Sequence, residues 1–217
     1  EPTLNANTLV TRWHTSQQRA GFKFLVTQIL GYLSGGPQRY TGRPMDVAHK
    51  HLGITAGEWD AFVATAKTVL AAEAALTPEL REELLELLTP FAQQVVSPEG
   101  AELPPDPRLS TTPPDGNSLF AEAGGVYPLA RFADLLVERS LADGLVLPLS
   151  KRAGGKLSRA GLKYLLTELL CNAAGGAEIV TSKGFDDAKL GVNDWRRFLS
   201  AARETAGADQ EAAARAA

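Results

Sequence analysis

The feature that most constrains this chain is an internal duplication. A shift of 140 positions superimposes residues 159–188 on residues 19–48, and twelve of these positions are identical. In the first copy they are positions 19, 20, 21, 23, 25, 27, 30, 35, 36, 41, 46 and 48. After a short deletion the match resumes, with residues 195–198 over residues 59–62. Self-similarity at a fixed offset indicates a tandem repeat, so the fold should contain two versions of one unit.

Hydrophobic periodicity predicts that this unit is helical. Apolar residues at helical spacing give residues 22–33 a broad apolar face, and the second copy carries the same pattern. Thr55 and Glu58 form a predicted capping box at the start of a second helix. Thr77 before Pro78 predicts the start of a third, because threonine caps well and proline suits the first helical position. Strand signals are confined to short scraps such as residues 179–181, so we expect an all-α fold.

A proline-rich segment separates the two copies. Residues 97–117 hold six prolines, at positions 98, 104, 105, 107, 113 and 114, and this density prevents a helix from continuing. We therefore expect a first unit at residues 1–96, a linker at 97–117 and a second unit at 118–217. After the linker the pattern predicts a short helix over 118–123, a break at Gly124-Gly125 and a longer helix over 128–142. The alanine-rich end of the chain also favours helix.

Charge, hydropathy and cysteine content exclude several function classes. A net charge of −3 and a pI near 5.7 give no global positive field, so nucleic acid is not an expected partner. No apolar run reaches the roughly 18 residues of a membrane span. A protein of a membrane complex is still compatible with the sequence as a partner. The single Cys171 can form no intramolecular disulfide, which fits a soluble protein of a reducing compartment. A start at Glu1, with Met45 the one methionine, fits removal of a targeting peptide on entry to a plastid or mitochondrion.

Three short motifs lie between residues 35 and 49. They are Gly35-Gly36-Pro37, then Tyr40-Thr41-Gly42, and then a run from Met45 to His49. This stretch resembles the truncated haemoglobins, the small two-over-two globins. In that family the first motif ends the distal-side helix, the second forms a loop, and a Met-x-x-x-His run carries the proximal haem ligand. Residues 118–127 and 141–143 also resemble the opening helices of the family, so the resemblance implies two truncated-globin-like units.

The resemblance implies that His49 is the proximal ligand of a haem in the first copy alone. The candidate pocket residues beside it are Gln17, Phe22, Leu25, Met45 and Phe62, with Phe24, Leu52 and Ile54 as further walls. Haem iron needs one axial nitrogen donor and apolar walls, which this set supplies. The alternatives stay open at this point: His49 as a histidine bonded within the fold, and Gln17 or His14 as solvated residues. His49 and His51 point about 200° apart on a helix, so they cannot share one metal ion.

The second copy departs from the family pattern. Lys189 aligns with His49, and a lysine ligates iron only when it is deprotonated, against a reference pKa near 10.4. Val137 stands where the family often has a distal tyrosine, and it cannot hydrogen-bond a ligand. The first copy lacks the opening helices, and the second lacks the closing one. Uncovered apolar faces favour association, so we expect other protein subunits as partners.

Two functions follow as hypotheses. The first is a non-catalytic, globin-like accessory subunit of a larger assembly, with no cofactor. The alternative is haem binding through His49, for oxygen or nitric oxide binding or sensing. Enzyme chemistry on side chains alone is not expected, because no nucleophile–base set, paired-carboxylate motif or phosphate loop is present. A basic stretch at the start of the second copy predicts a solvated helix face or a surface for an acidic partner. It comprises Lys151, Arg152, Lys156, Arg159 and Lys163.

Overall fold

Helices account for all regular secondary structure in the part of the chain that the computed structural model describes, residues 18–104, 118–142, 144, 158–181 and 192–216. The α-helices are α1 (Arg19–Leu33), α2 (Met45–His49), α3 (Ala56–Ala72), α4 (Pro78–Glu86), α5 (Ala92–Val95), α6 (Leu119–Glu122), α7 (Val126–Ala142), α8 (Arg159–Ala173) and α9 (Val192–Ala216). Short 3-10 turns follow α2 at Lys50–Leu52 and precede α5 at Thr89–Phe91. The predicted all-α class is confirmed. None of these described helices is both long and apolar enough to cross a bilayer.

Local hydrogen bonds fix the starts of the helices, as the sequence predicts. The Thr55 backbone N–H donates to Glu58 Oε2 at 2.8 Å and the Glu58 N–H donates to Thr55 Oγ1 at 3.3 Å, which completes the capping box of α3. Thr77 Oγ1 accepts from the Leu80 N–H at 3.4 Å at the start of α4. These caps satisfy donors that a helix start leaves without intrahelical partners.

One boundary differs from the expectation. Helix α7 begins at Val126, two residues before the predicted start, so that Pro128 lies inside its first turn. Proline is tolerated there because the first-turn N–H groups have no intrahelical acceptor to lose.

The Gly-Gly pairs that follow α1 and α8 are helix caps. Gly35 has a φ of 81° and its N–H donates to Tyr32 O at 3.1 Å, while the Gly36 N–H donates to Gly31 O at 2.7 Å. This is the Schellman pattern, in which a left-handed residue lets the chain turn back on the last carbonyls. The second copy repeats it, with Gly175 bonded to Asn172 at 3.0 Å and Gly176 bonded to Cys171 at 2.8 Å. The duplication is therefore visible in backbone geometry as well as in sequence.

The chain divides into two compact units. Of the described residues, 25–104 belong to the first unit and 18–24, 118–142, 144, 158–181 and 192–216 to the second. The division falls inside α1, so its first turns group with the second unit and residues 25–33 with the first. In the sequence-based division all of α1 lies in the first repeat.

The second unit is built around α7, α8 and α9. Its buried core joins residues from all three helices: Ala133, Leu136, Val137, Leu162, Leu166 and Ala201. At the edge, Lys163 Nζ lies 2.6 Å from both Asp134 Oδ1 and Glu138 Oε1, and Arg159 bonds Glu138 as well. The Arg159 guanidinium holds the pKa of Glu138 below its ordinary value. Two cations of the predicted basic stretch are thus paired within the chain, and Lys151, Arg152 and Lys156 lie outside the described residues.

Labelling of the Cys171 thiol can measure how often this unit opens. The side chain is 0% exposed, and burial, with the nearby charge of Glu178, raises the pKa of its thiol to about 12. At pH 8 only about one thiol in ten thousand is then ionised, and the thiolate is the reactive form. We expect an aromatic disulfide reagent to label native protein no faster than the unit opens, and denatured protein at once. Rapid labelling of the native protein would contradict the buried placement of Cys171.

Candidate functional site

His49 is the last residue of α2, where the chain passes into the 3-10 turn Lys50–Leu52. Gly53 ends that turn with a φ of 61°, a left-handed conformation that favours glycine. The imidazole is half-buried, and its Nδ1 lies 2.8 Å from the carbonyl oxygen of Met45, one helical turn earlier. The ring is therefore held at a fixed place by the backbone of its own helix.

This hydrogen bond fixes the tautomer of His49. A carbonyl oxygen can only accept, so Nδ1 carries the hydrogen and donates it to Met45 O. In the neutral ring Nε2 then holds the lone pair. Histidine ligands of metals are typically arranged in this way, with one ring nitrogen bonded to a backbone carbonyl and the other left to coordinate.

The surroundings of His49 also keep the ring neutral. Burial lowers its pKa below the ordinary value; the bond to Met45 O opposes this shift and the nearby His51 adds to it. A neutral imidazole is the form that ligates a metal. Both the neutral state of the ring and its tautomer therefore leave the lone pair of Nε2 for coordination of a metal.

The loop before α2 is anchored to α1 by a buried amide. Gln28 is 1% exposed, and its Oε1 accepts from the Thr41 N–H at 3.1 Å and from Thr41 Oγ1 at 3.0 Å. Beside it, Tyr40 donates its hydroxyl hydrogen to Arg43 O at 2.9 Å, and its ring packs so closely on Gly42 that a Cβ there would clash. The Tyr-Thr-Gly motif is therefore a folded loop whose geometry leads into α2 and His49.

The end of α5 and the residues that follow it support the other side of the turn. The Ser97 N–H donates to Ile54 O at 2.8 Å and Ser97 Oγ donates to Lys50 O at 3.3 Å. Val95 is buried, and the Leu103 side chain lies against Gly53. The first residues of the predicted linker thus contact the first unit and hold the segment that carries His49. Residues 105–117, which contain most of the linker prolines, lie outside the described residues.

The predicted pocket residues fall in different places. Met45 supplies the carbonyl that orients His49, and Leu25 and Phe62 lie half-buried in the same unit. Phe62 stacks at a tilt on Trp59, with ring centroids 5.6 Å apart. Phe22 lies in the turns of α1 that group with the second unit. Gln17 and His14 lie outside the described residues.

Phe24, one of the expected walls, has another role. It is 3% exposed, groups with the second unit and stacks on Tyr164 with ring centroids 5.0 Å apart. These two residues are equivalent positions of the repeat. Phe24 is therefore part of the packing of the second unit.

In the second copy the equivalent loop anchor is a carboxyl group in place of an amide. Glu168 replaces Gln28, is 1% exposed, and accepts from the Thr181 N–H at 3.1 Å and from Thr181 Oγ1 at 2.9 Å. The bonding pattern of the anchor is thus retained. Lys189, which aligns with His49, lies outside the described residues.

A site for a metal ion held by several side chains is not found in the described part of the chain. No group of three His, Cys, Asp or Glu residues there is placed to hold a metal. The available donor chemistry is that of one histidine, which suits a metal whose other ligands come from a cofactor.

The sequence analysis did not predict the residues that hold the segment around His49 in place. The roles of Gln28, Ser97 and Leu103 depend on residues that are distant in sequence, up to 50 positions apart for Leu103 and Gly53. The i−4 spacing of Met45 and His49 is the one local signal that points to the ring orientation.

Comparisons with family models, with curated proteins and with solved structures each found no match.

Proposed function

We propose that the first unit binds haem, with His49 Nε2 as the axial ligand of the iron, and that the second unit serves as a helical scaffold without this ligand. The observation that carries the proposal is the bond from His49 Nδ1–H to Met45 O, together with the lowered pKa of the ring. The resemblance of residues 35–55 to truncated haemoglobins supports the same assignment. Haem bound there would supply an iron site for a small gas such as oxygen or nitric oxide.

The residues that would hold haem are those of the first unit. His49 provides the donor atom, and half-buried Leu25 and Phe62 provide apolar surface. The Gln28–Thr41 anchor keeps the loop before α2 in place, so that the imidazole does not depend on a bound cofactor for its orientation. The group hydrogen-bonded to the proposed ligand itself is the Met45 carbonyl, and loss of such an outer-shell partner typically lowers metal affinity by 10- to 100-fold.

Haem titration with paired histidine variants tests this proposal. We expect the wild-type chain to bind about one haem, with a sharp Soret band, and His49→Ala to lower the affinity by at least about tenfold and alter the band. His51→Ala is the matched control, because this ring is two residues away and should leave the spectrum unchanged. Free imidazole should restore the wild-type band in His49→Gly. Equal spectra and affinities for wild type and His49→Ala would disprove the role of His49.

A second candidate function is that of an accessory subunit of a larger assembly. The observation that favours it is the exposure of large apolar side chains in the second unit, such as Leu119 at 64% and Ile179 at 50%. Exposed apolar surface favours association with another protein. Haem assay of the assembly isolated from its native source separates the two candidates, because an accessory subunit without cofactor would contain no haem.

A further inference from the structure

A pocket of about 180 Å³ lies in the first unit, between α3 and α4. Its apolar wall is formed by Leu70, Ala71, Pro78 and Leu85. A dry apolar cavity of about 150 Å³ is large enough to hold benzene, so this pocket has room for a ring or a short branched chain. It is separate from the residues around His49 that the proposed function uses.

Arg81, one of the residues that line the pocket, has a hydrogen-bond donor for which the described part of the chain supplies no acceptor. One terminal nitrogen, Nη2, donates to Glu73 O at 2.8 Å, which pins the guanidinium in place. Its Nε–H is buried and has no hydrogen-bond partner among the described residues. Buried donors are nearly always satisfied, so an exception beside a pocket points to a missing acceptor.

The charge of Arg81 likewise meets no acid in the segments that the structure describes. No carboxylate of these residues lies within ion-pair distance of its guanidinium. Glu82, the acid that lines the pocket, is instead 3.8 Å from Lys67, and both of these side chains are about two-thirds exposed. Such an exposed pair contributes little to stability and does not compensate the charge of Arg81.

From these observations we infer that the pocket between α3 and α4 binds a small apolar carboxylate of about the size of benzoate. The apolar body fills the space against Leu70, Ala71 and Leu85, and the carboxylate pairs with the guanidinium of Arg81, which lines the pocket. Arginine suits this role because its planar guanidinium stays charged and bonds carboxylates with fixed geometry. A free small molecule is the occupant, since the pocket holds about one ring and one headgroup.

Titration of the full chain with 4-fluorobenzoate, followed by fluorine NMR line broadening, tests this inference. We expect a dissociation constant on the order of 1 mM, as suits a small ligand in an open pocket. The neutral 4-fluorobenzyl alcohol should bind at least about tenfold more weakly, because it lacks the charge-assisted bond. No broadening of the benzoate signal by the wild-type chain up to about 10 mM would overturn the inference.

Three variants locate the binding. Arg81→Met should weaken benzoate binding by about tenfold or more and leave the alcohol within about twofold. Lys67→Met, the matched control at the neighbouring cation, should change benzoate binding by less than about threefold. Ala71→Phe should block both probes by filling the pocket, and it leaves Arg81 and its bond to Glu73 in place.

Two further outcomes would contradict the inference. Equal benzoate binding by wild type and Arg81→Met would show that the donor plays no part. Unchanged binding by Ala71→Phe would place the probe elsewhere on the chain. Because haem titration of the same variants should match wild type, failure of this site is distinguishable from failure of the haem proposal.

Discussion

Leu136→Ala is expected to lower the free energy of unfolding by about 2–5 kcal/mol. Leu136 is 1% exposed and lies in the core cluster with Leu162, Leu166 and Ala201. Truncation removes buried methyl groups and leaves a cavity that helices packed on several sides cannot fully close. The loss should appear both in chemical denaturation and as faster labelling of the buried Cys171.

A control substitution of the same type at an exposed position shows how much of the lost stability is due to burial of the side chain. Leu199→Ala, on α9, removes the same atoms from a side chain that is 37% exposed. We expect a clearly smaller loss there, because exposed positions contribute less transfer free energy and leave no cavity. Equal losses in the two variants would show that the α7–α8–α9 core is not packed as described.

Gly21→Val is expected to destabilise the chain by about 1–3 kcal/mol. An ideal Cβ at Gly21 would lie 2.4 Å from Tyr127 Cδ1 and 3.0 Å from Tyr127 Cα. The tyrosine ring can rotate away, but the backbone atom cannot, so the start of α1 would have to shift. Thermal and denaturant unfolding measure this effect.

The control for this prediction is a helical glycine with free space. Gly207 lies in α9, and a Cβ there would meet no atom within 4 Å among the described residues. Gly207→Val should therefore change stability by less than about 0.5 kcal/mol, since valine has a slightly better helix propensity than glycine. If Gly21→Val proved equally mild, the close contact of α1 with Tyr127 would be refuted.

The starts of α3 and α4 were predictable from the sequence because a cap depends on residues within a few positions of one another, whereas α7 starts two residues before its predicted start. Thr55 and Glu58 cap α3, Thr77 caps α4, and the Gly-Gly pairs end α1 and α8 as Schellman caps. The repeat itself also carries over, from Gln28 with Thr41 to Glu168 with Thr181.

The candidate site was only partly predictable. His49 stands out in the sequence through the Met-x-x-x-His run, whereas its neutral state follows from burial, which depends on how the helices pack. Phe24 and Leu25 are neighbours in an apolar stripe, yet Phe24 groups with the second unit and Leu25 with the first. Periodicity shows that a face is apolar, but it does not identify the surface that covers it.

By itself, the sequence determined the duplication, the all-α class and the caps that start α3 and α4, because each rests on local spacing or on residue chemistry. The tertiary structure alone decided which charges pair, which of the described buried donors are left without an acceptor and how the turn that carries His49 is held. Lys163 meets Asp134, Arg81 meets no acid among the described residues, and Ser97 reaches back to Ile54. These outcomes depend on distances between segments far apart in the chain, which packing sets and local rules do not encode.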